Sequence, residues 1–176
     1  DPSLCTAFVA TDYTCSPSVG DSRLGRCFIP ASSLAGEFVT GGISAELIVP
    51  SGIPIRPEFY TRAPKAEAKR IFGIEPEHQH LVAMTGSIGC GPLKELTETL
   101  AETMTYEQEL TVVCGANEKL HRHLASRYAG QANIHILGFE KNVSLLLDSA
   151  DLYLTKPGGI SVTEAAAKAL PMVLID

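Results

Sequence analysis

From Ala63 onward the chain alternates short apolar runs with longer stretches of helical character. Strands are expected at Leu81–Thr85, Leu110–Cys114, Asn133–Leu137, Leu152–Leu154 and Met172–Ile175. Helices are expected from Pro64 to a stop at Gly73, then at Leu93–Met104, Glu118–Tyr128, Asn142–Ser149 and Val162–Leu170. Such alternation builds βαβ units and therefore a parallel, doubly wound sheet. The strands are apolar throughout rather than alternating, as required when helices cover both faces.

Two of the strand-to-helix turns are glycine-rich. One is Gly86-Ser87-Ile88-Gly89-Cys90-Gly91, after strand Leu81–Thr85. The other runs Lys156-Pro157-Gly158-Gly159-Ile160-Ser161, after strand Leu152–Leu154. Glycines before a helix let backbone N–H groups approach an anion, and the helix dipole favours negative charge there. Each turn also has a purely architectural reading, since a tight turn needs glycine for packing alone. Ser161 and Glu164 are spaced as a capping box, which places a helix start at Ser161. Glu164 thus has two readings, capping partner or acceptor for both hydroxyls of a ribose. Lys156 is either a solvated loop cation or a neighbour of phosphate. A dinucleotide site is disfavoured: the first turn reads G-x-x-G-x-G, and the next strand ends Val113-Cys114-Gly115 without an acid for the ribose.

The first part of the chain, to Pro57, reads as two short α/β pieces. Thr6–Ala10, Arg26–Pro30 and Leu47–Pro50 are expected strands, with a polar loop at 12–21. A helix capped by Ser32 or Ser33 is expected to end near Gly41-Gly42. Gly52-Ile53-Pro54-Ile55-Arg56-Pro57 suits an interdomain linker. With few strands to cover, this half is expected to be the less stable one. Asp12, at the end of the first strand, is either a turn-stabilising residue or a weak candidate for a catalytic base.

A net charge of -6 without like-charge blocks argues against a nucleic-acid partner and supplies no polybasic anchor. The cysteines Cys5, Cys15, Cys27, Cys90 and Cys114 are odd in number and lack C-x-x-C spacing, so they are expected to be buried small hydrophobes in a reducing compartment. Asp148 and Asp151 bracket a helix end and a strand start rather than a metal. The histidines are scattered, and none is assigned to metal or catalysis. The chain opens beside a strand and stops on one, which suggests a piece of a longer protein.

Together these motifs resemble glycosyltransferase family 28, in its diacylglycerol glycosyltransferase branch: monogalactosyldiacylglycerol synthases and processive diacylglycerol glucosyltransferases. The resemblance covers essentially the whole chain. It rests on Thr11-Asp12-Tyr13-Thr14-Cys15-Ser16-Pro17, Gly52–Phe59, Gly86–Gly91, Val113–Leu120, Gly138-Phe139 and Thr155–Glu164, in this order. It implies a GT-B fold of two Rossmann-like domains facing across a cleft, both incomplete here. Residues 1–57 would be the end of the acceptor domain with its linker, and 58–176 the donor domain. The implied reaction is inverting, metal-independent transfer of a hexose from UDP-glucose or UDP-galactose to a diacylglycerol-type lipid, with no cofactor. The enzyme would work at the cytoplasmic face of a membrane surface, without nucleic acid. The UDP-sugar site would comprise Gly86, Ser87, Gly89, Gly91, Gly115, Asn117, Gly138, Phe139, Lys156, Gly158, Gly159, Ser161 and Glu164. Within it, Gly138 and Phe139 lie near uracil, Glu164 holds ribose, and Ser87, Gly158, Gly159 and Ser161 surround the diphosphate. Metal independence agrees with the absence of a D-x-D motif. Ser16 stands where many members have histidine. The base and a sugar-binding P-G-Q-E loop would lie outside residues 1–176, so this piece alone is expected to be inactive. Within the same fold the alternatives are a lipid-intermediate N-acetylglucosaminyltransferase of peptidoglycan synthesis and a UDP-sugar 2-epimerase. A nucleotide-binding module without transfer activity is the non-enzymatic alternative.

Overall fold

The computed structural model describes residues 5–86 and 92–175. The chain divides into two compact units, Asp1–Ile55 and Arg56–Asp176.

The first unit is a parallel sheet of β1 (Ala7–Val9), β2 (Arg26–Ile29) and β3 (Ile48–Pro50), in that order. The crossover from β1 to β2 carries no helix, only turns, and these drop Val19 into the core beside Cys27, Ile29 and Phe38. The crossover to β3 carries a 3₁₀ turn, Ser32–Leu34, then α1 (Ala35–Thr40). Neither Ser32 nor Ser33 caps it. Both lie inside the 3₁₀ turn, whose N-cap is Ala31, and no side chain bonds the end. Gly20 and Gly41 meet backbone to backbone: a Cβ on Gly20 would lie 2.0 Å from the Gly41 carbonyl oxygen. Cys27 and Cys114 are buried as expected, but Cys5 is exposed, because it precedes β1 instead of facing the core.

The second unit is a five-stranded parallel sheet. Its strands are β4 (Gln79–Met84), β5 (Gln108–Val113), β6 (Ile134–Leu137), β7 (Leu152–Thr155) and β8 (Met172–Leu174), in the order β6-β5-β4-β7-β8. The chain winds outward from β4 in one direction and then returns to β7 on its other side. The switch point therefore lies between β4 and β7, and ligands of such sheets sit beyond the strand carboxyl ends there.

Successive residues of β4 face opposite sides. Leu81 and Ala83 join Leu110, Val112 and Leu154 under α3 (Leu93–Thr103) and α4 (Glu118–Arg127). On the opposite face, α2 (Lys65–Ile71) packs on α5 (Val143–Ser149). His80 is buried on that face. Its Nδ1 lies 3.1 Å from Ser149 Oγ and its Nε2 2.7 Å from Thr111 Oγ1. The Ser149 hydroxyl donates to the Leu146 carbonyl at 2.6 Å. Ser149 Oγ must then accept from His80, which puts the ring proton on Nδ1 and lets Thr111 donate to Nε2.

The segment after the unit boundary is fastened to α5 and to the last helix, α6 (Gly159–Ala167). Phe59 is fully buried. Lys168, buried at the end of α6, pairs with Asp148 Oδ2 at 2.8 Å and donates to the carbonyls of Glu58 and Thr61. Ser144 donates to the Glu58 carbonyl at 2.7 Å, and Asp148 accepts from the Ala63 N–H at 3.1 Å. Asp151 binds Lys65, Lys69 and the His80 N–H. Both aspartates are thus engaged by lysines.

At the amino-terminal end of the sheet, the Glu109 carboxylate binds His78 Nδ1 at 3.0 Å and His135 Nε2 at 2.8 Å. Among the described residues, no group of three or more His, Cys, Asp or Glu is placed to hold a metal ion. Among them, too, no helix is long and apolar enough to cross a membrane.

Candidate functional site

A cavity of about 260 Å³ opens at the carboxyl ends of β4, β5 and β6, beside the start of α6. Met84 lines it from the end of β4 and Gly86 from the turn that follows, and Val113 from the end of β5 and Gly115 from the turn after it. Phe139 and Glu140 come from the loop after β6, and Val143 from α5. Ile160, Ser161 and Glu164 come from α6, and Arg56 from the segment after the unit boundary. Gly86 (φ 91°) and Gly115 (φ 58°) both turn the chain through the left-handed region. A side chain at either would be strained, so these two glycines have a conformational cause. At Gly86 a Cβ would meet no atom of the described residues within 4 Å.

Gly158 is different. Its φ of -76° suits any residue, and a Cβ there would also meet no atom of the described residues within 4 Å. Neither backbone strain nor crowding by the described residues requires glycine at this position. Gly158 is the N-cap of α6, and no side chain of the described residues caps the helix there. The first-turn N–H groups of a helix lack intrahelical acceptors and carry the positive end of the dipole.

The capping box expected at Ser161 does not form. α6 starts at Gly159 with Gly158 as N-cap, so Ser161 and Glu164 already lie within the helix. Both are then released for other work. Ser161 lines the cavity. Glu164, with a side chain only 9% exposed, has Oε1 at 3.3 Å from Arg56 Nε. Burial pushes the Glu164 carboxyl upward, and the adjacent guanidinium opposes the shift. Beneath α6, the buried Tyr153 hydroxyl lies beside Thr155 and Ser161, and burial pushes it up to about 12. The buried Thr85 hydroxyl, next to Gly86, has no hydrogen-bond partner among the described residues.

Of the residues singled out from sequence, Gly86, Gly115, Phe139, Ser161 and Glu164 line this one cavity. Phe139 stands at its rim, 67% exposed. The Gly138 carbonyl accepts from the Gly115 N–H at 3.1 Å and so ties the two loops together. Lys156, Gly158 and Gly159 form the turn into α6, closed by the Gly158 N–H to the Lys156 carbonyl at 2.8 Å. Asn117 caps α4, accepting from the Leu120 N–H at 3.0 Å, and borders a separate hollow with Lys94 and His123. Asp12 is an exposed loop residue of the first unit. Ser87, Gly89 and Gly91 lie outside the described residues. Sequence reasoning missed Arg56, although it sits inside the Gly52–Phe59 motif. A lone arginine among prolines was the available signal.

Residues 80–175, more than half of the chain, match the Glycosyltransferase family 28 C-terminal domain. The chain belongs to glycosyltransferase family 28. It is 28% identical over 178 residues to a processive diacylglycerol beta-glucosyltransferase of Staphylococcus saprophyticus, covering 100% of this chain and 45% of that protein. The chain spans less than half the length of the curated relatives it matches. Among solved structures, Anabaena HepE in complex with UDP and glucose is similar at a TM-score of 0.61 and 15% identity, over 97% of this chain and 52% of that one. WaaG, a glycosyltransferase involved in lipopolysaccharide biosynthesis, is similar at a TM-score of 0.61 and 20% identity, over 94% of this chain and 55% of that one. The family 28 chain therefore has the GT-B type of fold, with a parallel α/β sheet in each unit.

Proposed function

We propose that this chain carries the UDP-binding part of a hexosyltransferase that moves a sugar from UDP-glucose or UDP-galactose to a diacylglycerol-type lipid. The observation that carries the reading is the buried Glu164 carboxylate in a cavity at the carboxyl ends of the strands, beside the start of α6 and the Gly86 turn at the switch point of the sheet. A helix amino terminus fits a diphosphate, Glu164 fits the vicinal hydroxyls of a ribose, and the exposed ring of Phe139 offers a face to a base. The printed name of the Staphylococcus relative supports the lipid acceptor.

In the proposed reaction the acceptor hydroxyl attacks the anomeric carbon from the face opposite UDP, so configuration inverts. Charge develops on the departing diphosphate. Fixed N–H dipoles at α6 stabilise that charge without needing a metal ion. Gly115, Gly138, Lys156 and Gly159 belong to the loops around the nucleotide, and Ser87, Gly89 and Gly91 to the phosphate turn. Asn117 serves by capping α4. The acceptor hydroxyl gives up its proton to a base, for which Asp12 is the candidate within this chain. No cofactor and no nucleic acid takes part, and the protein meets the lipid as a peripheral protein at the cytoplasmic membrane face.

Calorimetry tests the donor assignment. Glu164→Ala should weaken UDP but leave free pyrophosphate nearly unchanged, with a loss of about 1.5–3 kcal/mol for each lost charged hydrogen bond at most. Equal UDP affinity in both proteins would remove Glu164 from the ribose. Metal independence has its own test: the full-length protein should retain glycolipid synthesis in excess chelator. Activity that disappears and returns with magnesium or manganese would refute that part.

A further inference from the structure

We infer that Arg56 is the positioning residue of the nucleotide cavity: it holds the Glu164 carboxylate ionised and turned so that one oxygen is left for the ribose. This rests on the ribose role proposed above for Glu164 and goes beyond it, because it gives a task to a residue outside both glycine turns.

A carboxylate removed from water needs a compensating cation or donors to stay charged. Arg56 reaches Glu164 through Nε alone, at 3.3 Å from Oε1. A guanidinium docked by its two-pronged edge would occupy both oxygens. Here the contact is single, and Oε2 makes no hydrogen bond with the described residues. The rest of Arg56 is held from elsewhere. Its Nη1 lies 3.3 Å from Glu58 Oε1, and its guanidinium carbon stands 4.9 Å from the centre of the Phe59 ring. Phe59 is fully buried, and the Glu58 carbonyl is fixed by Ser144 and Lys168. The guanidinium is therefore presented on a rigid support although its side chain is 51% exposed.

The other groups around Glu164 do not replace it. Glu58, on the same segment as Arg56, is a like charge. Glu140 lines the cavity from the loop after β6, and Tyr153 approaches from β7 with its phenol protonated. Ser161, one turn earlier on α6, is neutral. Lys168, one turn later, is committed to Asp148. Burial already pushes the Glu164 carboxyl upward, and Arg56 is the group that opposes this. Without the guanidinium, Glu164 protonates closer to neutral pH. A protonated acid cannot accept from two ribose hydroxyls as a carboxylate does.

The experiment uses the full-length protein and UDP, with calorimetry from about pH 5.5 to about pH 8.5. The parent should vary little across this range. Arg56→Gln should bind UDP weakly at the acid end and recover by about tenfold or more toward the basic end, as one group titrates. Arg56→Lys should restore most of the flat profile. Glu164→Gln should be weak and flat, and adding Arg56→Gln to it should cost nothing further. Carbon-13 NMR of the Glu164 carboxyl, without nucleotide, should show a higher titration midpoint in Arg56→Gln than in the parent. A loss in Arg56→Gln that is the same at every pH, with an unmoved midpoint, would overturn the inference. So would an Arg56→Gln protein that tracks the parent while Glu164→Gln loses affinity, and the ribose role would then survive alone. A parent that binds no UDP would overturn both.

Discussion

His80 shows how one buried side chain makes stability depend on pH. Its ring is fully enclosed, and burial pushes its pKa down to about 4, against a hydrogen bond to Ser149 that pulls it up. The unfolded chain takes up a proton near pH 6.5 and the folded chain resists until about 4. The stability tied to the neutral ring is therefore complete above about 6.5. It is lost as pH falls from there toward 4, by about 3 kcal/mol in all. Urea unfolding across this window should show the decline. His80→Gln should start lower at neutral pH, where Thr111 and Ser149 lose a partner, but should decline less steeply. Parallel slopes in the two proteins would assign the response to another group. Asp151 acts in a lower window. Burial raises its pKa, yet the His80 N–H and the Lys65 and Lys69 ammonium groups more than offset this and hold it at about 2. None of this could be read from the sequence. Ser149 and Thr111 lie 69 and 31 positions from His80 in the chain, and only the sheet brings them together.

At the scale of the element, α6 is the most instructive. It ends in a Schellman arrangement, with the Ala169 N–H bonding the Ala166 carbonyl and the Leu170 N–H the Ala165 carbonyl. The left-handed position, φ 48°, is filled by Ala169, where glycine is the usual occupant. Ala169→Gly should relieve about 1–2 kcal/mol of local strain and return part of it as unfolded-chain entropy, about 0.5–1 kcal/mol. A small gain in thermal or urea stability is expected, and a clear loss would contradict the strain. The same helix explains where sequence reading succeeded and failed. The alternation of strands and helices was legible throughout the second unit, because buried parallel strands impose long apolar runs. The bounds of α6 were not. Ser161-x-x-Glu164 has the spacing of a cap, but spacing is local, and Arg56, 108 positions away, takes the carboxylate instead. The stop at Ala167 carries no glycine to announce it. For the site, the glycine turns and Glu164 were visible as motifs. Arg56 was not, since its partner is fixed only by the fold.

At the scale of the molecule, damage confined to one of the two compact units is expected to stay in that unit. Gly20→Ala would drive a methyl group into the Gly41 carbonyl, a backbone atom that cannot swing aside. The expected cost is about 1–3 kcal/mol, felt by the sheet β1-β2-β3. Hydrogen exchange should show lost protection in those strands and unchanged protection in β4, β5 and β7. Equal loss in both units would mean that they unfold as one.

The fastening of residues 56–63 bears on how the second unit can be excised from its gene. The family match begins at His80. A cut there would discard Phe59, Lys65 and Lys69, so that Asp151 loses both of its lysines, while Asp148 and Lys168 keep each other but lose the Ala63 N–H and the carbonyls of Glu58 and Thr61. Buried polar groups left without their hydrogen-bond partners cost about 1–3 kcal/mol each, a large share of the stability of a small domain. The nucleotide cavity would also lose the Arg56 wall. A cut made upstream of Arg56, within 51–55, keeps every one of these partners. The physical edge of the unit thus lies some two dozen residues before the edge that sequence similarity draws.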